Sequence, residues 1–197
     1  NRTDPLIMND SAAHASASAE AAAARSLSDY KRQQAAAGRA VAKGRQQGAR
    51  LLVASALLVE GNAWQELGET PKAIAAANEA REIYASAGDR GGESRALRAA
   101  GISLRSQGDL AAAKQMYERG LAVAREIGDQ STTAGLLNNI ANVLRQQGSL
   151  AAALKTYQES LAISREIGDR SAVALILNNM AIGLRVQGDL AGAKKNY

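Results

Sequence analysis

The chain has 197 residues with no Cys and no Phe, and it carries a formal net charge of +5 at pH 7. Hydrophobic residues make up 46% of it but aromatic residues only 3%, and Ala and Leu dominate the apolar fraction, so the composition favours helices over strands. Disulfides, thiolate metal sites and membrane-spanning segments are excluded, and the moderate charge permits an acidic partner without demanding nucleic acid.

Residues 1–10 are predicted to be an N-terminal leader. They do not form a signal peptide, because no apolar segment follows a basic start. A chain without Cys suits either redox setting, and with no export signal recognised we expect a cytoplasmic location. The chain begins at Asn1 and stops at Tyr197 in the middle of a repeated pattern, so we expect it to be a piece of a longer protein.

Residues 11–47 are predicted to be a degenerate pair of helices. The first helix would cover 11–25 and the second would follow a turn at Ser28 and Asp29, which align with Gly148 and Ser149. A flexible Ala/Ser-rich leader is the alternative for 11–25. The helix is favoured because Ala is the best helix former.

A sequence repeat continues from there to the end of the chain. Glycines recur at a constant interval, twice in each unit, from Gly48 and Gly68 to Gly168 and Gly188. From Asp129 and Asp169 onward, 16 of 29 aligned positions are identical. Because Gly accepts the left-handed conformation that ends a helix, the series predicts helices of roughly 16–18 residues joined by tight turns. The predicted helix pairs cover 48–87, 88–127, 128–167 and, in truncated form, 168–197.

Polar residues beside the turns are predicted to cap the helices. Asp109, Ser149 and Asp189 directly follow a glycine and are expected to cap the second helix of their units. Ser131 and Ser171 are expected to cap the first helix.

The first helix of each unit carries an apolar stripe, which in 128–167 consists of Leu137, Ile140, Ala141 and Leu144. Small residues recur at two positions and are predicted to let the two helices of a unit cross closely. These positions hold Ala21, Gly61, Gly101, Ala141 and Ala181, and Ala73, Ala113, Ala153 and Ala193. Trp64 aligns with core leucines and is expected to pack in the core.

This signature resembles the tetratricopeptide repeat, in which small residues at the crossing and a turn Gly precede A-x-x-x-Y and Leu. The matching residues of 128–167 are Leu137, Ala141, Leu144, Gly148, Ala153, Tyr157 and Leu161. The resemblance is strong over 49–197 and weak over 10–48. Arg125 and Arg165 replace the family's terminal Pro, as in the extended 40-residue variety of kinesin light chains, spindle-orientation adaptors and bacterial signalling proteins. The resemblance implies an all-α, right-handed superhelical solenoid of antiparallel hairpins with about 4–5 repeats. The first helix of each repeat would line the concave side.

Polar residues share a second face of these first helices, since Asn138, Asn142 and Arg145 lie at i, i+4 and i+7. An Asn amide can bond both the N–H and the C=O of an extended peptide, and Arg can pair with carboxylates. The predicted peptide-binding residues are Asn62, Arg98, Ile102, Arg105, Asn138, Asn142, Arg145, Asn178, Ile182 and Arg185. The resemblance implies that this face is the concave groove. Two alternatives stay open, namely Asn side chains that cross-link adjacent units and Arg side chains that are merely solvated.

No catalytic or cofactor motif is recognisable. His14 is the only His, and the H-E-x-x-H, P-loop and G-x-S-x-G patterns are missing. The Gly-rich segment 88–94 lacks a preceding strand and a Lys, so it is predicted to be a turn between units rather than a phosphate loop. We therefore expect no enzyme, no cofactor and no metal.

The leading hypothesis is a non-catalytic scaffold that binds a peptide or partner segment in its concave groove, within a larger signalling or regulatory protein. A structural spacer that self-associates through exposed solenoid ends is one alternative. An RNA-binding helical repeat is another, and the scarcity of aromatic stacking residues disfavours it.

Overall fold

The structure, a computed structural model, describes the backbone of residues 5–186 and the side chains of residues 26–185. This described part contains eight α-helices and no strands, which confirms the predicted all-α class. The helices are α1 (Pro5–Gln46), α2 (Arg50–Glu66), α3 (Thr70–Ser86), α4 (Arg90–Gln107), α5 (Leu110–Glu126), α6 (Gln130–Gln146), α7 (Leu150–Glu166) and α8 (Arg170–Val186).

A glycine in the left-handed conformation stands between each pair of successive helices from α1 to α8, with φ between +67° and +91°. At Gly108 the N–H of Asp109 donates to the carbonyl of Leu104 at 3.0 Å, which is the bond that closes a Schellman turn. The predicted glycine punctuation is therefore confirmed from Gly48 to Gly168, and Gly188 lies outside the described residues.

The first helix departs from the prediction, because α1 runs without a break through the expected turn at Ser28 and Asp29. Residues 11–47 are thus not a helix pair, and the helix begins at Pro5, inside the segment predicted as a leader. The physical reason is that Ser28 stands where every later turn has a glycine, and no Gly or Pro occurs between Pro5 and Gly38. The regular packing of antiparallel helices therefore begins only where the C-terminal part of α1 packs against α2.

The caps of the first helices also differ from the prediction. Asp129 and Asp169 cap α6 and α8, each accepting a hydrogen bond at 2.9 Å from the backbone N–H three residues later. The assignment of Ser131 and Ser171 as caps is wrong, because both lie inside the helices and an Asp at the N-cap position already accepts that bond.

The caps of the second helices are partly as predicted. Asp109 accepts a hydrogen bond from the N–H of Ala112 at 2.9 Å, so its predicted role is confirmed. Ser149 occupies the same position before α7, but its side chain makes no capping hydrogen bond. Asp189 lies outside the described residues.

The glycine-rich segment 88–94 is only in part the turn that was predicted. Gly88 is left-handed and Asp89 is the N-cap residue, whereas α4 begins at Arg90. Gly92 belongs to the first turn of that helix, and a Cβ atom there would collide with the ring of Tyr84 on α3. This glycine therefore serves the packing of two hairpins.

Each helix packs against the next one along the chain, so α2–α3, α4–α5 and α6–α7 are antiparallel hairpins and α8 begins a further unit. The first helices of successive hairpins also contact one another, from α2 to α4, α6 and α8. Among the described residues no comparable backbone approach joins α3 to α5 or α5 to α7. We call α2, α4, α6 and α8 the inner helices and α3, α5 and α7 the outer helices. Closer spacing on one side curves the stack, so the inner helices line the concave side of the solenoid.

Small residues lie where the helices of a hairpin cross, as predicted. Ala141, Ala153, Ala113 and Ala73 are buried, and a Cβ atom on Gly101 would lie 2.5 Å from the ring of Tyr117. Ala21 and Ala193 lie outside the residues whose side chains are described. The close crossing brings Tyr117 and Tyr157 beneath the inner helix of their own hairpins, whereas Tyr84 packs against Gly92 in the next hairpin.

Candidate functional site

The candidate site is the surface of the inner helices that faces away from the outer helices, which we call the inner face. On α4 the buried residues Leu97 and Gly101 alternate with Arg98, Ile102 and Arg105, which are half-buried on the other side of the helix. The predicted site residues with this spacing recur on α2, α6 and α8. Helical periodicity therefore gathers them on one continuous surface.

Two arginines, Arg98 and Arg145, reach from one inner helix towards the next. A Cβ atom on Gly135 of α6 would lie 3.2 Å from Nη1 of Arg98, and one on Gly183 of α8 would lie 3.2 Å from Cδ of Arg145. Arg105 on α4 is also half-buried. Glycine on the receiving helix leaves room for Arg98 and Arg145, so these two side chains lie over the seams between hairpins.

None of these arginines forms an ion pair with any of the described residues. The ion pairs of the structure lie on the outer helices, on α1 or at the ends of hairpins, and none includes Arg98, Arg105, Arg145 or Arg185. In addition, the buried Nε atoms of Arg105 and Arg145 have no hydrogen-bond partner. The inner face therefore presents positive charge that no described acidic group neutralises at contact distance.

Two tyrosines lie directly beneath these arginines. Burial raises the pKa of Tyr117 and of Tyr157, and nearby arginines oppose both rises, chiefly Arg105 for Tyr117 and Arg145 for Tyr157. Arg105 acts on Tyr117 through its charge, because no hydrogen bond of ordinary geometry reaches the Tyr117 hydroxyl. Both tyrosines therefore remain neutral near pH 7.

Asn142 is held in place by one of these tyrosines. The Tyr157 hydroxyl donates a hydrogen bond to Oδ1 of Asn142 at 2.6 Å. This bond does not use the amide N–H donors of Asn142, which is half-buried on the inner face. At the equivalent place in the preceding hairpin, Ile102 stands over Tyr117 and offers no acceptor.

Asn138 differs from its prediction as a peptide-binding residue. It is only 7% exposed, and its Oδ1 accepts a hydrogen bond from Nδ2 of Asn179 on α8 at 3.0 Å. The reason is that α8 packs beside α6 and covers this position. Asn138 therefore cross-links two inner helices, which is the alternative that the sequence left open for the asparagines.

The remaining predicted residues stay accessible. Asn62, Asn178 and Arg185 are exposed, while Ile102 and Ile182 are half-buried and add apolar area to the inner face. The sequence prediction overlooked Arg95, an exposed residue of α4 whose position in the repeat is otherwise occupied by Ser, Gly or Leu.

The positive charge of the inner face also acts on Asp129, the N-cap residue of α6. Its pKa is lowered first by the hydrogen bond from the N–H of Thr132, then by the Thr132 hydroxyl, and further by the charges of Arg95 and Arg98. Arg95 thus adds to the positive charge at the edge of the inner face.

No cluster of three or more His, Asp or Glu side chains able to hold a metal ion occurs among the described residues. Among the described helices, none combines the length and apolar character that a membrane-spanning segment requires.

The family model for the tetratricopeptide repeat matches residues 52–126 and 132–197. The chain belongs to this family. The matched tetratricopeptide repeats cover the four inner helices apart from the first two residues of α2 and of α6, and the matching model describes a repeat rather than a catalytic domain. No curated protein matches the chain in sequence.

Solved structures share the architecture of these tetratricopeptide repeats. The crystal structure of BtubC from P. vanneervenii has a TM-score of 0.74 and 22% identity, over 85% of this chain and 70% of that one. The Rap conjugation gene regulator of the plasmid pLS20, in complex with the Phr* peptide, has a TM-score of 0.67 and 18% identity, over 80% and 49%. A putative kinesin light chain repeat protein of Podosopora anserina has a TM-score of 0.58 and 13% identity, over 86% and 92%.

These likenesses establish the fold, namely an all-α solenoid of repeated hairpins. The chain spans about half the length of the Rap regulator and of aspartyl phosphate phosphatase F from Bacillus subtilis, of which it covers 49% and 48%.

Proposed function

We propose that this tetratricopeptide repeat protein is a non-catalytic scaffold that binds an extended, acidic segment of a protein partner along its inner face. The observation that carries the proposal is the row formed by Arg98, Arg105 and Arg145, with which none of the described acidic residues forms an ion pair. Charge-assisted hydrogen bonds to carboxylates are among the strongest that a surface can offer, and Arg can form two at once.

Each residue of the inner face has a distinct part in this proposal. The arginines pair with carboxylates of the partner, and the reach of Arg98 and Arg145 over the seams spaces the charges along the axis of the solenoid. Asn142, positioned by Tyr157, offers its amide hydrogens to a peptide carbonyl. Ile102 and Ile182 give the partner's apolar side chains a surface to cover.

Two further facts support a peptide partner. Repeat proteins of this class present extended concave surfaces suited to extended ligands. One structural neighbour, the Rap regulator, was crystallised with a bound peptide. We further propose that the chain is part of a signalling or regulatory protein, as that neighbour is a gene regulator, and we keep the cytoplasmic location expected from the sequence as part of this proposal.

The test compares two variants with the same change in charge. Arg98, Arg105 and Arg145 are replaced by Gln in the first variant, and three exposed arginines away from the inner face, Arg39, Arg119 and Arg165, are replaced in the second. Fluorescence anisotropy is measured with labelled 15-residue unstructured peptides whose net charge ranges from strongly acidic to strongly basic.

The expected result is that acidic peptides bind the wild-type chain and the second variant, with an affinity that falls as the salt concentration rises. The inner-face variant should lose at least about tenfold in affinity, which corresponds to about 1.4 kcal/mol. Equal losses of affinity in the two variants would show that binding depends only on the net charge of the chain, and this would contradict the proposal.

A labelled single-stranded RNA of 20 nucleotides tests the alternative of a nucleic-acid partner. Tight, salt-sensitive binding of this RNA together with no binding of acidic peptides would replace the proposal by an RNA-binding function. Light scattering of the free chain at high concentration tests self-association as a spacer.

A further inference from the structure

A cleft of about 360 Å³ lies away from the inner face, between the C-terminal part of α1 and α3. The inner helix α2 forms its floor with Leu57, Glu60 and Trp64, which lie one turn apart on the same side of the helix. Arg45 of α1 and Glu79 of α3 stand at its rim. We call this space the outer cleft.

The outer cleft exists because one hairpin departs from the repeat. Its lining includes Gly38, Ala75 and Ala76, whereas Asn78, Gln115 and Met116 occupy the equivalent positions of the next unit. Trp64 also departs from the repeat, since the three later units have Leu at that position. Among the described hairpins, only this one therefore combines small residues at the walls of the cleft with a tryptophan at its floor.

The charges around the outer cleft do not balance. Arg45 is paired with Glu79, with Nη2 and Oε1 2.5 Å apart, and Lys72 is paired with Glu69 at 3.3 Å. Glu60 has no such cation within 4 Å among the described residues, and only the neutral amide of Gln34 donates to it, at 2.9 Å. A half-buried carboxylate thus remains on the floor of the cleft without a counter-charge.

The ring of Trp64 is suited to the same type of ligand. Trp64, expected to pack in the core, is only half-buried, and the ammonium of Lys72 lies 4.3 Å from its ring centroid. An indole face attracts cations more strongly than the ring of Tyr or Phe does. Val41 and Leu57, both buried, provide apolar contact beside it.

We propose that the outer cleft binds a lysine or arginine side chain presented by a protein partner. The aliphatic stem lies against Val41 and Leu57. The cationic head bonds the Glu60 carboxylate and displaces the Lys72 ammonium from the Trp64 ring. This site has the opposite charge preference to the inner face and does not depend on the function proposed for it. A partner with acidic and basic segments can therefore engage both sides of the solenoid.

The test uses the fluorescence of Trp64, which is the only tryptophan of the chain. The probe is an 11-residue peptide of Gly, Ser and Ala with one central Lys or Arg, and the matched control peptide carries norleucine instead. Lysine and arginine peptides are expected to change the Trp64 emission in a saturable manner, and the norleucine peptide is expected to bind at least about fivefold more weakly.

Two variants place the binding in the outer cleft. Glu60→Gln keeps the size of the side chain but removes its charge, so affinity for the lysine peptide should fall by about tenfold. Glu66→Gln on the same helix lies outside the cleft and should leave the affinity unchanged. Ala75→Met, at an exposed position of the lining, should block the cleft and abolish binding without loss of helicity by circular dichroism.

Several results would overturn this proposal. They are the lack of a saturable change with millimolar peptide, equal affinity for the norleucine peptide, and an unaltered affinity of Glu60→Gln or Ala75→Met. Binding of free n-butylammonium more tightly than of the lysine peptide would assign the cleft to a free organic cation instead of a protein partner. None of these measurements involves the inner-face arginines, so failure here is distinguishable from failure of the function proposed above.

Discussion

At the scale of single residues, the repeat places the same side chain in different surroundings. Tyr117 and Tyr157 occupy one position of the repeat and both are fully buried. The Tyr157 hydroxyl bonds Asn142, whereas the Tyr117 hydroxyl has no hydrogen-bond partner among the described residues. The two tyrosines therefore differ in what their hydroxyl groups contribute to stability.

This difference predicts opposite outcomes for the same substitution. Tyr157→Phe should lower the free energy of unfolding by about 0.5–1.5 kcal/mol, because it removes the bond to Asn142. Tyr117→Phe should be neutral or stabilising, because it removes a buried hydroxyl that lacks a partner. Urea unfolding measured by circular dichroism checks both. A larger loss for Tyr117→Phe than for Tyr157→Phe would contradict this account.

The sequence predicted which residues share the inner face but not which of them are free to bind. The face follows from helical periodicity alone, whereas the burial of Asn138 depends on how α8 is set beside α6. The position of α8 relative to α6 is decided by packing between hairpins, and this packing cannot be predicted from the sequence of a single helix. The outer cleft was missed for a similar reason, since it needs α1 and α3 to stand apart.

At the scale of helices, glycine spacing decided most of the architecture. Each helix from α1 to α7 ends at a predicted glycine turn, because few other residues accept a left-handed φ. The same rule explains why α1 continues through the earlier expected turn, which carries Ser28 instead of Gly. The identity of the caps was harder to predict, because Asp, Ser and Thr near a helix start all qualify chemically and backbone geometry selects one.

The cap of α6 predicts a pH effect. The pKa of Asp129 is lowered in the folded chain, first by the N–H of Thr132, so its carboxylate stabilises the fold above its unfolded pKa of about 3.9. That contribution is lost as the pH falls through the lower, folded pKa. Asp129→Asn keeps an acceptor without the charge, so its deficit in unfolding free energy relative to wild type should shrink between about pH 6 and pH 3.

Ser149→Ala serves as the matched control for this cap. Its side chain makes no capping hydrogen bond at the start of α7, so its substitution should cost less than Asp129→Ala, for which about 1 kcal/mol is expected. Thermal unfolding at several pH values measures both effects. A deficit of Asp129→Asn that stays constant across this pH range would refute the electrostatic explanation.

At the scale of the whole molecule, the interfaces between hairpins are related but not interchangeable. Tyr84 of α3 fills the space over Gly92 of α4, where no Cβ atom fits. In the next interface the corresponding residues are Ala124 and Thr132. A large residue therefore faces a glycine in one interface, and a small residue faces a threonine in the other.

Two excisions, each of one whole repeat, test this pairing. Removal of 90–129 would place Thr132 opposite Tyr84 and overpack the interface, at a cost of about 1–3 kcal/mol. Removal of 130–169 would place Ala172 opposite Ala124, which leaves ample room. The first shortened chain should unfold at a lower temperature than the second, and Tyr84→Ala should recover part of the difference. No recovery would show that the hairpins are mismatched for another reason.

Every described helix contacts only its first and second neighbours along the chain. The first and last described helices are thus not tied to each other, and a hairpin at either end of the described stack can melt while hairpins beyond its neighbour keep all their contacts. Under mild denaturation the protein should populate partly unravelled forms of several lengths, and amide hydrogens should exchange fastest at the ends and slowest in the middle.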